Sequence, residues 1–205
     1  MTRLPSHFYA MVDAAGGQEP VTLAQTMLEA GARIMQLRLK DVGGRDFLAA
    51  ARAIAELCRK HSAILIVNDR VDIAILAEAH GVHLGQTDLP LEAARRIAGP
   101  DRVIGISTHN LEQARAAENG GADYIGFGPI YPGGLRNNAA GVGLDNLRAI
   151  RAAVKIPIVA IGGITEGRVT ETLGAGADAV AIITDVVNAP DIGAKVRSIL
   201  ALARN

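Results

Sequence analysis

The sequence has little of what disulfide-bonded, nucleic-acid-binding or membrane proteins need. Only one of its 205 residues is cysteine, so no internal disulfide can form and a reducing cytoplasm is the expected compartment. Aromatic residues make up 3% and tryptophan is absent, which leaves few rings for stacking on bases. No apolar run approaches the ~18 residues of a membrane span, and the first residues lack the apolar core of a signal peptide.

Charge of one sign is also missing. Lys and Arg number 21, Asp and Glu number 21, and the formal net charge is zero, which removes the basic surface expected of a nucleic-acid or anionic-membrane binder. Apolar residues supply 49% of the chain, enough for a well-formed core. We therefore expect small-molecule partners, no nucleic acid and no membrane, and we leave open whether the chain forms a homo-oligomer.

Short β-branched runs alternate with longer Ala-, Leu-, Glu- and Arg-rich stretches along the whole sequence. This pattern predicts a single α/β domain over residues 1–205, a (β/α)8 TIM barrel with parallel strands. A doubly wound open sheet is the alternative, but the Gly-x-Gly-x-x-Gly expected after its first strand is missing. The predicted strands are Phe8–Val12, Ile34–Arg38, Ile64–Asn68, Val82–Leu84, Val103–Ser107, Tyr124–Phe127, Ile158–Ile161 and Ala179–Ile183.

The second predicted strand ends in polar residues at every other position. A period of two places Gln36, Arg38 and Lys40 on one face, while Leu37 and Leu39 face the other way. Active sites of these barrels lie at the carboxyl ends of the strands, so the polar face is expected at the barrel mouth. Two inward cations indicate an anionic ligand, although solvated surface charges are the alternative interpretation.

Carboxylates follow the next two strands. Asn68 and Asp69 end the third strand, and Asp88 follows the fourth. Each acid alone could cap the helix that comes after it. Adjacent strands lie ~4.8 Å apart, however, so Asp69 and Asp88 could hold one Mg²⁺ together with substrate phosphates.

Later strands add further polar and glycine-rich ends. Ser107 and His109 follow the fifth strand, where Ser107 could donate into the mouth and His109 is ambiguous between a site and a structural role. Gly163 after strand seven and Ile183-Thr184 after strand eight stand where such barrels commonly bind phosphate. No Ser/His/Asp or Cys/His arrangement is evident, so the sequence predicts anion binding without a nucleophilic side chain.

Six phrases of the chain together resemble the thiamine-phosphate synthase family, which shares a superfamily with thiazole tautomerase. They are Gln36-Leu37-Arg38-Leu39-Lys40, Val67-Asn68-Asp69-Arg70, Gly81-Val82-His83-Leu84-Gly85-Gln86-Thr87-Asp88-Leu89-Pro90, Gly105-Ile106-Ser107-Thr108-His109, Gly126-Phe127-Gly128-Pro129-Ile130-Tyr131-Pro132 and Ala160-Ile161-Gly162-Gly163-Ile164. The resemblance implies a transferase of thiamine biosynthesis that joins hydroxymethylpyrimidine diphosphate to a thiazole phosphate, giving thiamine phosphate and diphosphate.

The resemblance also implies roles for the site residues. Asp69 and Asp88 would hold Mg²⁺, while Arg38, Lys40, Asn68 and Ser107 would bind the diphosphate. Gln36 would orient the pyrimidine, with Leu37, Leu39 and His109 among the substrate-binding residues. Gly163, Ile183 and Thr184 would hold the thiazole phosphate.

One loop departs from the family pattern. Where the family usually has Thr-x-Thr-Lys, this chain has Gly133, Gly134, Leu135 and Arg136. Arg136 keeps a cation for catalysis, but the two hydroxyls are gone, which predicts weaker binding of the thiazole phosphate. Three alternatives therefore remain: a thiazole tautomerase-like isomerase, a non-catalytic paralogue that binds thiazole or thiamine phosphate, and another phosphate-binding barrel such as an aldolase.

Overall fold

Eight parallel strands pair in chain order and close into a barrel, because the first strand pairs with both the second and the last. This computed structural model describes residues 4–13, 17–133 and 141–203. The strands are β1 Phe8–Asp13, β2 Ile34–Arg38, β3 Ile64–Asn68, β4 Gly81–Leu84, β5 Val103–Thr108, β6 Tyr124–Phe127, β7 Ile158–Ile161 and β8 Ala179–Ile182. The predicted (β/α)8 barrel is confirmed, and the doubly wound sheet is wrong.

Helices follow the strands and cover the outside of the barrel. They are α1 Pro20–Glu29, α2 Gly44–Lys60, α3 Val71–Leu76, α4 Leu91–Ala98, α5 Leu111–Asn119, α6 Gly143–Ala153, α7 Val169–Gly174, α8 Thr184–Val187 and α9 Ile192–Leu202. A short 3-10 turn, Glu166–Arg168, precedes α7. Within the part of the chain that the structure describes, no helix has the length and apolar content needed to span a bilayer.

Strand alternation separates two apolar regions. Residues such as Phe8, Val12, Leu37 and Leu65 face outward and pack beneath the helices in the main core. The alternate positions face inward, where a smaller cluster contains Tyr9, Met11, Ile34, Ile66, Tyr124 and Val159. On β1 to β5 the inward positions nearest the carboxyl ends are polar, so the same period that builds the core also brings the candidate functional residues into the barrel.

Candidate active site at the carboxyl ends of the strands

A cavity of about 420 Å³ opens at the carboxyl ends of the strands, and every strand contributes residues to it. Gln36, Arg38, Lys40, Asn68 and Ser107, all predicted from the sequence, line this cavity. Asp69, Asp88, His109, Gly133 and Ile183 line it as well. The structure therefore brings ten of the predicted residues to one cavity at the expected end of the barrel.

Two cations of the cavity pair with acids of neighbouring strands. Arg38 Nη1 donates to Asp13 Oδ2 at 2.5 Å, and Lys40 Nζ donates to Asp69 Oδ2 at 2.6 Å. Asp13, at the end of β1, lies directly opposite Arg38 in the strand register. The sequence analysis missed Asp13, although a period of two from Tyr9 would have placed it on the inward face. Both cations remain partly exposed, so an anion at the mouth can reach them.

Asp69 and Asp88 are neighbours at this rim. Asp69 has φ 64°, and its N–H donates to the His83 carbonyl at 2.8 Å, which ties the end of β3 to β4. The Asp88 carboxylate accepts from Gly85 N–H at 2.6 Å. Burial and the nearby Asp69 carboxylate both raise the pKa of Asp88, against the opposing effects of the Gly85 N–H and Lys40. The Asp69 and Asp88 carboxylates therefore lie close enough to repel each other.

The capping alternative for these acids is wrong. The residue before α3 is Arg70 and the residue before α4 is Pro90, and no side-chain cap hydrogen bond forms at either helix. Asn68 and Asp69 instead line the cavity. The carboxylates are therefore held near each other for a purpose other than helix termination.

A divalent cation fits this pair of carboxylates. In the described residues no group of three His, Cys, Asp or Glu side chains converges as a complete metal site. Mg²⁺ usually takes one or two carboxylates and completes its octahedron with water and substrate phosphate oxygens. The donors at Asp69 and Asp88, and the mutual repulsion that a cation would relieve, match that pattern.

His109 is anchored rather than mobile. Its Nδ1 lies 2.6 Å from the Gly128 carbonyl oxygen, and because a carbonyl only accepts, Nδ1 carries the proton. The main-chain N–H of His109 donates to Gln113 Oε1 at 2.8 Å, and the Asn110 side chain caps α5 by accepting from Gln113 N–H at 2.9 Å. The ring thus has a structural contact and a place in the cavity wall.

A chain of buried polar groups crosses the barrel beneath the cavity. Gln36 Nε2 lies 3.0 Å from Tyr9 Oη, which lies 2.7 Å from Tyr124 Oη. Tyr124 Oη lies 2.9 Å from His83 Nδ1, and His83 Nε2 lies 2.9 Å from Ser107 Oγ. Sequence reasoning missed Tyr9, His83 and Tyr124, although their inward register with Gln36 and Ser107 was a usable signal.

Burial keeps the hydrogen-bonded groups beneath the cavity uncharged. It raises the pKa values of Tyr9 and Tyr124 and lowers that of His83 to about 4, since the interior disfavours every charged form. Ser107 and His83 form a hydrogen-bonded pair, which the sequence analysis did not identify. Its third member is the Tyr124 hydroxyl in place of a carboxylate, so the arrangement differs from a Ser/His/Asp triad.

The glycine-rich ends of β7 and β8 are only partly in the cavity. Gly162 and Ile183 line it, whereas Gly163 and Thr184 do not. Gly163 has φ 65° and sits under Tyr131, whose carbonyl oxygen would lie 2.7 Å from an added Cβ. Arg168 Nη1 donates to the Gly163 carbonyl at 2.6 Å, which fixes this turn.

Two further predicted residues do not reach the cavity with their side chains. Leu37 and Leu39 are buried in the core outside the barrel, as their alternation with Gln36 and Arg38 requires, so direct side-chain contact with substrate is wrong.

Gly133, at the start of the departing loop, has φ 94° and lines the cavity. Gly134, Leu135 and Arg136 lie outside the described residues.

Together the fold and the site define a (β/α)8-barrel enzyme whose chemistry takes place at the carboxyl ends of its strands. Comparison with known proteins narrows this class. The family model described as thiamine monophosphate synthase matches residues 8–186. The chain therefore belongs to the thiamine monophosphate synthase family.

Individual relatives agree with this assignment. The thiamine-phosphate synthase of Moorella thermoacetica is 46% identical over 183 residues, covering 89% of this chain and 87% of the relative. That of Methanospirillum hungatei is 47% identical over 184 residues, covering 89% of each. The thiamine phosphate pyrophosphorylase structure from Pyrococcus furiosus has TM-score 0.90 and 35% identity, covering 97% of this chain and 96% of that one. These likenesses confirm the family and the transferase function predicted from the sequence phrases.

Proposed function

We propose that this chain joins hydroxymethylpyrimidine diphosphate to thiazole phosphate and releases thiamine phosphate and diphosphate, with Mg²⁺ as cofactor. One observation carries the proposal: two acids and two cations from neighbouring strand ends meet at one rim of the cavity. A diphosphate and a divalent cation are the pair of ligands that such a mixed set of charges would hold.

The reaction breaks one bond and forms one bond. The C–O bond between the pyrimidine methylene and the diphosphate breaks, and the oxygen keeps the electron pair. The aminopyrimidine ring spreads the positive charge left on carbon, and the thiazole nitrogen then donates its lone pair to form the new C–N bond. This sequence needs positioning and charge neutralisation but no protein nucleophile.

Residues at different positions on the rim of the cavity have different roles in this reaction. Arg38 and Lys40 approach the diphosphate oxygens and stabilise the charge that develops on departure, assisted by Asn68 and Ser107. Gln36, deeper on the same strand face, orients the pyrimidine. Mg²⁺ held by Asp69 and Asp88 would supply the remaining charge neutralisation.

The opposite side of the mouth suits the thiazole phosphate. Gly163, Ile183 and Thr184 follow β7 and β8, where barrels of this type commonly bind phosphate through main-chain N–H groups, and Ile183 and Gly133 line the cavity. Gly134, Leu135 and the Arg136 cation stay predicted contacts, and His109 completes the binding residues. Leu37 and Leu39 would act only through their main chain.

The setting of the reaction is also a proposal. The partners are small phosphorylated molecules in the cytoplasm, in keeping with the balanced charge and the single, buried Cys58. Burial raises the pKa of the Cys58 thiol to about 12, so the residue stays an unreactive thiol. Self-association into a homo-oligomer stays a prediction.

Diphosphate release measures the proposed activity directly. The purified chain is mixed with both substrates and Mg²⁺, and each substrate is omitted in turn. We expect diphosphate only when both are present, together with an equal amount of thiamine phosphate. Tight binding of thiazole phosphate without diphosphate release would instead support the non-catalytic paralogue, and turnover of the thiazole alone would support an isomerase.

Substitution of the acids tests the metal site. Asp69→Ala and Asp88→Ala are each expected to lower kcat by about 10²–10³, the usual effect of removing one electrostatic stabiliser of a transition state. Asp72→Ala is the matched control, because Asp72 does not line the cavity and its half-exposed carboxylate pairs with Arg70. Undiminished turnover in either cavity variant would contradict the proposed metal role.

A further inference from the structure

The buried polar chain has a determinable direction, because its donors and acceptors can be counted. Its five groups, from Gln36 through Tyr9, Tyr124 and His83 to Ser107, are joined by four contacts of 2.7–3.0 Å. Tyr9 and Tyr124 are fully buried, and His83 is 8% exposed, so an unmade hydrogen bond here would be costly.

The count begins at Gln36, whose amide nitrogen only donates. Tyr9 Oη accepts from that amide, and Tyr124 Oη is the acceptor that these five groups offer to the buried Tyr9 O–H. Tyr124 then directs its O–H to His83 Nδ1, which must be unprotonated to accept it. His83 therefore carries its proton on Nε2 and donates to Ser107 Oγ.

The reverse direction fails at the far end of the chain. If Ser107 donated to Nε2, then His83 Nδ1–H would donate to Tyr124, and Tyr124 to Tyr9. Tyr9 Oη would then accept from both Tyr124 and the Gln36 amide, and the buried Tyr9 O–H would have no acceptor among these five groups. A doubly protonated His83 leaves the same Tyr9 O–H unpaired. Of the two directions, only the first gives both buried tyrosine hydroxyls an acceptor within the chain of groups.

We propose that Tyr9 and Tyr124 hold His83 in the Nε2–H tautomer. His83 then donates to Ser107 Oγ and leaves the Ser107 O–H to donate into the cavity, so all three act as positioning residues. Ser107 is thus prepared to receive negative charge, and His83 is unable to act as its base. This inference rests on the proposed function for the identity of the anion, the diphosphate, but the tautomer itself does not depend on it.

The tautomer can be measured in the intact protein without substrate. Long-range ¹H–¹⁵N spectra distinguish protonated from unprotonated imidazole nitrogens, and the His83 signals are assigned by their loss in His83→Gln. We expect Nε2–H for His83 and, as an internal contrast, Nδ1–H for His109, whose ring donates to Gly128. An Nδ1–H tautomer or an imidazolium at His83 at neutral pH would overturn the proposal.

Kinetics test whether the chain acts through Ser107. Tyr124→Phe removes the donor to His83 and is expected to lower kcat/KM for the pyrimidine diphosphate about 10-fold, within the range for one hydrogen bond to a charged group. In a Ser107→Ala background the same substitution should have less than about a twofold effect, because the terminal donor is already gone. Full additivity would show that Tyr124 has only a structural role.

A pair of conservative variants separates the two ring nitrogens. The amide nitrogen of His83→Gln can replace Nε2 as donor to Ser107, whereas His83→Asn reaches only the position of Nδ1. We expect kcat/KM to be higher in His83→Gln than in His83→Asn, with His80→Gln, outside the cavity, as control. Equal losses would contradict the proposal. If the wild-type chain released no diphosphate, the proposed function would fail, while the spectra would still decide the tautomer.

Discussion

Two inward-facing glycines make room for the rings of the polar chain. A Cβ added at Gly105 would lie 2.1 Å from Tyr124 Cζ, and one added at Gly126 would lie 3.1 Å from His83 Cε1. Because both positions stand opposite aromatic rings inside a closed barrel, neither neighbour can move far. Small residues at these positions therefore leave the space that the Tyr124 and His83 rings occupy.

Gly105→Ala is expected to destabilise the protein by about 1–3 kcal/mol, because the methyl group overpacks the interior against Tyr124. It should also lower the rate of diphosphate release by displacing the ring that contacts His83. Urea denaturation and the activity assay measure the two effects. Gly174→Ala is the control, since an added Cβ there meets nothing within 4 Å. Equal stability of the two variants would contradict this account of the interior.

At the scale of single residues, the sequence predicted which charged side chains face inward better than it predicted their ion-pair partners. It identified Arg38 and Lys40 as inward cations but not that Arg38 pairs with Asp13. The period of two within one strand fixes which side chains point inward. The partner on the adjacent strand depends on the register between the two strands, which no pattern within one strand contains.

Among the elements, α1 begins with an acidic cap. Glu19 Oε1 accepts from Val21 N–H at 3.0 Å, and its Oε2 accepts from Thr22 N–H at 2.8 Å. Pro20 has no N–H to satisfy, so the cap serves the next two residues. The Val21 and Thr22 N–H groups lower the pKa of Glu19 below its usual value.

Glu19→Ala is expected to lower the free energy of unfolding by about 0.5–2 kcal/mol at pH 7. Because the folded pKa is lower than the unfolded one, this stabilisation is present above the unfolded pKa and is lost as the pH falls through the folded value. Urea titrations of both proteins at neutral and acidic pH measure the difference. Glu29→Ala, on the exposed end of the same helix, serves as control. A difference that grew in acid would contradict the cap.

Element boundaries were predicted well where apolar periodicity was strong. β2, β3, β6 and β7 begin and end at the predicted residues. The fourth strand was predicted to begin at Val82, yet Gly81 is the first residue of β4. A Cβ at Gly81 would lie 2.1 Å from the Val103 carbonyl oxygen, so the glycine is needed for close strand contact.

Across the whole molecule, a phrase repeated in the sequence has a repeated structural role. Gly121-Ala122-Asp123 precedes β6 and Gly176-Ala177-Asp178 precedes β8, so both phrases lie at the amino ends of strands. Asp123 accepts from the Ile104 N–H of β5 and from Arg95 of α4. Asp178 accepts from Ile158 N–H and Arg151 in the corresponding arrangement. Each acid therefore links a helix to two neighbouring strands on the face opposite the cavity.

Removing one of these links tests the separation of stability from activity. Asp123→Ala is expected to lower the free energy of unfolding by about 1–3 kcal/mol, because it leaves the Ile104 N–H without this acceptor. The KM and kcat for diphosphate release should stay unchanged, since the site lies at the other end of the barrel. Asp145→Ala is the control, because its carboxylate is 99% exposed and should change stability by less than about 0.5 kcal/mol. A loss of activity in folded Asp123→Ala would contradict this separation.

By itself the sequence determined the parallel barrel, the inward faces of its strands and the cluster of charged residues at their carboxyl ends. These features follow from local periodicity and strand–helix alternation, which are written in neighbouring residues. Only the tertiary structure decided that Tyr9 meets Tyr124, 115 residues away, and that their hydrogen bonds continue through His83 to Ser107. Such contacts depend on barrel closure and on the glycines that leave space for the rings, and both are properties of the folded chain as a whole.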